Sequence, residues 1–431
     1  GISTGVGAEG LPPKWFTKNP DTRFEEDIPA FFDVIRNAAG NATDAPDTTF
    51  FGIWEHIYKK QAEWAKSSNM APLLANLGVS FIERAILDAL CRSLGLPIHK
   101  VLQDNLTGID LSAIRPELEG MEPGHVLRKS PLEYIHVRHT IGLGDPLSAS
   151  DVPHDQKLND GLPHTLEECI RTYGLSYFKI KVRGDRDADM ERLRNIAGIL
   201  NSCGIENPRF TLDGNEQFST VDRFREFHET CMEDPQIHRL LDGLLLIEQP
   251  LHREIALQHS LHSWKDRPPL IIDESDGTLD SLPTALDLGY DGTSHKNCKG
   301  IVKGLANAAL LNKRQLEQPE KNFLLTGEDL ANVGPIALNQ DLAIVAALGI
   351  PHVERNGHHY FRGLSMFPDK LSEKLALPDL YRIHEDGFPT LDIRDGRLNL
   401  SRVNNTPFGT EHLLDSAQFT PLSEWLVESL A

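Results

Sequence analysis

The chain has 431 residues, 40% hydrophobic and 25% charged, which is the composition of a globular protein with more than one small core. Its formal charge of −20 argues against nucleic acid and anionic membrane surfaces as general partners, because both select basic surface, yet leaves an anionic small substrate open where local cations override the global field. The five cysteines (Cys91, Cys169, Cys203, Cys231 and Cys298) are odd in number and lack CxxC spacing, which argues against a disulfide framework and for a reducing cytoplasm.

Gly1 is not an initiator methionine, so residues are expected before it. No signal pattern opens the chain, and apolar stretches such as 342–350 are short for a membrane span. Gly5 to Gly10 and Leu11-Pro12-Pro13 read as the end of a strand and a loop. Helices are predicted over 25–38, 51–67 and 77–94. The third carries Phe81, Ile82, Ala85, Ile86, Ala89, Leu90 and Leu94 as one stripe, and Gly95 and Pro97 stop it. Residues 1–110 are therefore expected to form an α+β domain.

From about Tyr134 the rhythm becomes strand, loop, helix. Strands are predicted at 134–140, 177–182, 209–213, 243–248, 270–273, 290–296, 322–326 and 352–354. Helices fall between them at 188–200, 221–231, 253–262, 282–288, 302–316 and 335–347. The segment 143–164 is rich in Gly, Pro, Asp and Ser and reads as a long loop. Eight such units over 130–364 predict a (β/α)8 barrel of the TIM type. A doubly wound sheet is the weaker reading, because no GxGxxG loop follows the first strand. Residues 365–431 read as a C-terminal extension, with a hairpin over 391–400 turning at Asp395-Gly396.

Charged residues end the apolar runs. Asp213, Glu248, Asp273 and Lys296 follow one another at intervals of 35, 25 and 23 residues, and Lys181 lies 32 residues before Asp213. Each interval is about one strand plus one helix, so these side chains meet at the C-terminal face, where such barrels hold their active sites. A single strand-end aspartate more often caps the next helix. Three acids in register, including Glu248 after Leu244 to Ile247, favour a metal site instead. All-oxygen ligation selects a hard ion, Mg2+ or Mn2+. Asn215 is placed to orient Asp213 or reach a substrate, and Glu274 is expected to point away from Asp273, as strand neighbours do. Lys179 and Lys181 share one side of their strand. Lys181 and Lys296, on opposite sides of one carbon, suit proton removal and return if burial and a cation lower their pKa values. Lys299 competes with Lys296 for the second role.

The Lys179-Ile180-Lys181 pair, Asp213-x-Asn215, Ile247-Glu248-Gln249-Pro250, Asp273-Glu274-Ser275 and the late Lys296, in this order, resemble the enolase superfamily. The likeness is closest to its mandelate racemase/muconate lactonizing enzyme branch, with the muconate-lactonizing arrangement of lysines. The segment 80–94 followed by Gly95-Leu96-Pro97 resembles the end of that family's capping domain. The resemblance implies a Mg2+-dependent isomerase or lyase acting on a small carboxylate. It abstracts the α-proton, and the metal and a lysine stabilise the enediolate. Racemisation or epimerisation, cycloisomerisation and dehydration all begin this way. Lys181 and Lys296 would be the base and acid, and Lys179 would hold the carboxylate. Glu328 matches a seventh-strand position that often contacts substrate, although it also reads as a helix-start acid. A homo-oligomer is expected.

The chain departs from the family pattern in places. The first strands and their lid loop are expected before Gly1. Lys299-Gly300-Ile301 stands where the family often has Gly-Gly. The insert at 143–164, with His154 and His164, is a candidate substitute lid. His136 and His139 read as structural, and His358 and His359 as either near substrate or solvated. Two other classes fit less well: a metal-independent Schiff-base aldolase using Lys296 or Lys181, and an inactive binding or oligomer-forming barrel.

Overall fold

The computed structural model describes the chain except residues 5–11, 20, 47, 329–331, 333, 356, 368–375, 414 and 426–431. The eight apolar runs become parallel strands: β1 (Tyr134–Ile141), β2 (Tyr177–Lys181), β3 (Arg209–Asp213), β4 (Leu244–Glu248), β5 (Leu270–Ile272), β6 (Gly292–His295), β7 (Leu324–Glu328) and β8 (His352–Arg355). Each pairs with the next, and β1 pairs with β8, so the sheet closes into a (β/α)8 barrel. The contiguous apolar character of stretches such as Leu244 to Ile247 and Leu270 to Ile272 follows from burial against the interior and against the helices.

Before the barrel lie α1 (Pro12–Thr17), α2 (Phe24–Thr43), α3 (Phe50–Ser67) and α4 (Pro72–Leu94), and no strand occurs among the described residues of this part. Thr49 caps α3 by accepting the Gly52 amide at 3.1 Å. Pro72 starts α4, and Gly95 ends it with a left-handed φ of 65°. The expected stripe is not the buried face of α4: Ala89 and Leu94 are exposed, and the helix instead buries the face carrying Glu83, Leu87 and Cys91, the last two in one core with Trp54 and Ile57 of α3.

One buried acid ties α3 and α4 to the start of a barrel helix. The barrel helix α5 (Ile301–Glu317) starts at Gly300, which has no side chain to cap it. Glu83 of α4 takes that role. It accepts the amides of Ile301 and Val302, the latter at 2.9 Å, and the indole N–H of Trp54 at 3.1 Å. A carboxylate at this point also meets the positive end of the helix dipole.

The insert after β1 has two short 3-10 turns, Ala149–Asp151 and His154–Gln156, before the helix Leu166–Tyr173. The expected hairpin at 391–400 is not formed as such. The tight turn is present, with Asp395 and Gly396 at φ 49° and 66°, but its arms share only the Arg394–Arg397 bridge. One arm, β10 (Pro389–Leu391), pairs with β9 (Tyr381–Ile383), and the other, β11 (Arg397–Asn399), pairs antiparallel with β1. The arms part because β1 offers the second one a free edge.

Candidate active site

The barrel brings its charged strand ends together. Asp213, Glu248 and Glu328 are the last residues of β3, β4 and β7, Glu354 lies in β8, and Asp273 and Lys296 directly follow β5 and β6. All six are buried, as is Lys179, while Lys181 is half-buried.

Lys179 stands at the centre. Its ammonium lies 3.0 Å from Asp213, 3.2 Å from Glu248 and 3.6 Å from Glu328, and it donates to Glu354. Desolvation alone would lower its pKa, but these carboxylates hold it well above the usual lysine value. Lys181 projects the same way, one residue pair nearer the mouth, and has Asp213 at 4.0 Å.

Across the barrel, Lys296 lies 2.8 Å from Asp273 and is ion-paired with Glu328. Burial opposes its charge, yet Asp273 and Glu328 raise its pKa above the usual value. This corrects the expectation of a lysine drawn towards neutrality, because its nearest neighbours are acids. The same pairing acts on Asp273. Desolvation would raise it, but Lys296, Lys299 and Lys179 hold it well below the usual carboxylate range. Lys299 lies 2.7 Å from Asp273 and is spent on scaffolding, donating to the backbone carbonyls of Asp273 and Ser294 at 2.8 and 3.0 Å.

The donor set suits a hard divalent cation. Both carboxylate oxygens of Glu248 are buried without a hydrogen bond; Oε2 faces the Lys179 ammonium at 3.2 Å, and Oε1 has no cation against it among the described residues. Desolvation raises the pKa of Glu248, with Asp273 and Asp213 adding to it against Lys179. Glu248, Glu328 and Glu354 offer oxygens all within 4.8 Å of one another. Asp213 and Asp273 flank this trio, each drawn to a lysine. Gln249 fixes the register between β4 and β5 by accepting the amides of Asp273 and Ser275 at 2.7 and 3.1 Å.

Above the buried acids is a cavity of about 620 Å3, lined by Trp15, Lys18, Lys181, Asn215, His252 and Glu274 among others. The Asn215 amide donates to Asp213 at 2.8 Å, and its side chain donates to Glu274 at 3.3 Å. Glu274 therefore faces the mouth, contrary to strand alternation, because β5 ends at Ile272 and the backbone turns before it. Burial, then Asp273, Glu216 and Asp213, raise its pKa well above the usual range. Of the insert at 143–164, Leu143 lines this cavity; His154 and His164 do not.

The short helix α1 covers one side of the mouth. Arg253 donates to the carbonyls of Trp15 and Phe16 at 2.7 and 2.9 Å, and Lys18 pairs with Glu216 at 3.1 Å. Trp15 thereby lies over the Lys296 ammonium, 4.2 Å from ring centre to nitrogen.

No family model matches the sequence, and no curated protein matches it. Solved structures match it well in shape. A mandelate racemase/muconate lactonizing protein from Herpetosiphon aurantiacus aligns with a TM-score of 0.55 at 18% identity, over 92% of this chain and 87% of that one. A muconate lactonizing enzyme aligns at 0.53 and 17%, over 93% and 86%. A dipeptide epimerase from Enterococcus faecalis V583 aligns at 0.52 and 15%, over 93% and 88%. The chain has the mandelate racemase/muconate lactonizing enzyme fold.

On this mandelate racemase/muconate lactonizing fold, sequence reasoning passed over two buried groups. Glu354 bonds Lys179 and accepts from Thr140 at 2.8 Å. Its signal was available, as an acid near the end of the eighth apolar run. Arg138 of β1 lies 3.8 Å from Glu248 and donates to Thr211 at 2.6 Å. No described helix is long and apolar enough to cross a membrane.

Proposed function

We propose that this chain is an enolase-superfamily enzyme that removes the proton α to a carboxylate with the help of a divalent cation, Mg2+ first among candidates. The observation that carries the reading is the placement of two lysines. Lys181 on β2 and Lys296 after β6 stand four strands apart in a closed ring of eight, on opposite sides of the acids. Opposed lysines suit removal of a proton from one face of a carbon and its return to the other. Racemisation or epimerisation is the overall reaction this supports best.

Asp213, Glu248 and Asp273 would hold the cation, with Glu328 and Glu354 completing the negative field. When bound, it would supply positive charge where the substrate carboxylate gains electron density, a large lever on so weak an acid. Lys181, nearer the solvent, accepts the α-proton. Lys296, kept protonated by Asp273 and Glu328, delivers one from the far side. Lys179 adds a fixed positive charge within the acid cluster. Glu274 and Asn215 line the entry and meet the remainder of the substrate. A protonated Lys296 is a poor nucleophile, which weighs against a Schiff-base reaction at that residue.

The test is α-proton exchange in D2O, followed by mass spectrometry, over pools of N-acyl amino acids, dipeptides, sugar acids and cycloisomerisable acids. Uptake that EDTA, Lys181→Ala and Lys296→Ala each abolish supports the reading and names the substrate class. Absence of both uptake and Mg2+ binding overturns it.

A further inference from the structure

A second cluster of ligating side chains lies outside the acid centre. Arg138 and Thr140 of β1 face the interior, where they bond Thr211 and Glu354. His139, between them, faces the opposite way, towards the surrounding helices. There it meets His358 and His359 from the helical turn Gly357–Tyr360 that follows β8. His139 Nδ1 and His358 Nε2 share a hydrogen bond of 2.8 Å. The ring centres of His139 and His359 are 4.3 Å apart, and those of His358 and His359 4.8 Å. One nitrogen from each of the three lies within 4.8 Å of the others.

The geometry points to a second metal site, in which His139, His358 and His359 bind a borderline first-row cation such as Zn2+ across the seam between β1 and β8. Two features beyond proximity support it. His139 and His358 are buried and His359 partly so, yet the buried Nδ1 atoms of His358 and His359 make no hydrogen bond, and His359 Nε2 faces only a carboxylate too distant for a good one. Buried polar nitrogens are rarely left so, and each lost bond costs about 1–3 kcal/mol. A carboxylate also stands behind one ring: Asp145 lies 3.7 Å from His359 Nε2 and is held by the Gly142 amide at 2.7 Å and the Tyr360 hydroxyl at 3.0 Å. Carboxylates of this kind orient ligating imidazoles and raise their basicity.

Three imidazoles distinguish this site chemically from the acid centre. Nitrogen donors favour Zn2+, Co2+, Ni2+ or Cu2+, whereas the all-oxygen set favours Mg2+ or Mn2+. Ligation at about 2.0–2.1 Å draws the three nitrogens closer than 4.8 Å, a shift that rotation of unbonded His359 can supply. The ion would tie the first barrel strand to the turn after the last one.

The experiment loads chelator-stripped protein with Zn2+ in the presence of millimolar Mg2+, which occupies the oxygen site. Retained zinc is measured after gel filtration, and Co2+ substitution reports ligand type through its visible spectrum and X-ray absorption. The expected result is one zinc per chain, with imidazole ligands, retained by the unaltered protein and by Glu248→Gln. His359→Ala and His139→Gln should weaken it by more than about 100-fold, since even loss of an outer partner costs about 10- to 100-fold. Three results would overturn the site: no zinc retained by the unaltered protein, oxygen-only ligation of Co2+, or zinc lost in Glu248→Gln and kept in folded His359→Ala. The first two need no variant, so a misfolded substitution leaves the test intact.

Discussion

The indole of Trp15 lies on the ammonium of Lys296, 4.2 Å from ring centre to nitrogen. A residue near the start of the chain thus caps a charge at the end of the sixth barrel strand. The contact excludes water from one side of Lys296 and adds about 0.5–2 kcal/mol of cation–π attraction. Trp15→Ala should lower kcat/KM about ten-fold while Arg253 still holds α1 in place. Trp15→Phe should recover most of the loss. Steady-state kinetics on the substrate found by exchange decides this, and equal rates for all three proteins would remove Trp15 from the site.

Lys296→Met keeps the length of the side chain and deletes its charge. Asp273 and Glu328 then keep Lys299 and Lys179 but share one buried cation fewer, a loss that stays below the ~3–5 kcal/mol of a charge left wholly unpaired. Urea unfolding should show such a loss without Mg2+ and a smaller loss with it, because a bound cation replaces the missing charge. A variant as stable as the parent in EDTA would contradict the pairing.

Glu354→Gln tests the group that the sequence left unassigned. It removes a charged acceptor from Lys179, which is expected to cost about 1–3 kcal/mol. It also removes one oxygen of the Glu248–Glu328–Glu354 trio. Mg2+ affinity by calorimetry should fall at least about ten-fold. Unchanged affinity would confine the cation to the remaining acids.

Glu83 gives a pH dependence of definite sign. Burial, opposed by its hydrogen bonds to Val302 and Ile301, raises its pKa from 4.5 to about 7. The folded protein therefore binds this proton more tightly than the unfolded chain, and stability falls as pH rises between those values. Asp341, raised from 3.8 to about 7, acts in the same sense. The Glu83 contribution is up to about 3 kcal/mol. Glu83→Gln keeps an acceptor for the α5 amides and cannot titrate. Its melting temperature should decline less from pH 5 to pH 7 than that of the parent, and parallel curves would refute the assignment.

The barrel was legible because parallel strands read as unbroken apolar runs and their ends as charges. The positions of Asp213, Glu248 and Asp273 followed from that pattern alone. Other parts depend on tertiary contacts that no local pattern carries. Trp15 sits in a six-residue helix, too short for a period, and is placed by Arg253 some 240 residues later. Glu274 breaks alternation because β5 is only three residues long. The direction of the Lys296 shift depends on which charges surround it, and Glu328 is recruited from the next strand.

The antiparallel strand β11 has a consequence for the chain as a whole. Tyr134 and Ile135 pair with Asn399 and Leu398, below the level where β2 and β8 begin to pair with β1. Without β11 this end of β1 would be a bare ribbon of amides and carbonyls, open to a strand from any other molecule. The residues that shield it come some 260 positions later, so a growing chain carries that edge uncovered until those residues have been made. Truncation before Arg397 would make the exposure permanent, and filament growth or precipitation, rather than simple loss of activity, would be its first symptom.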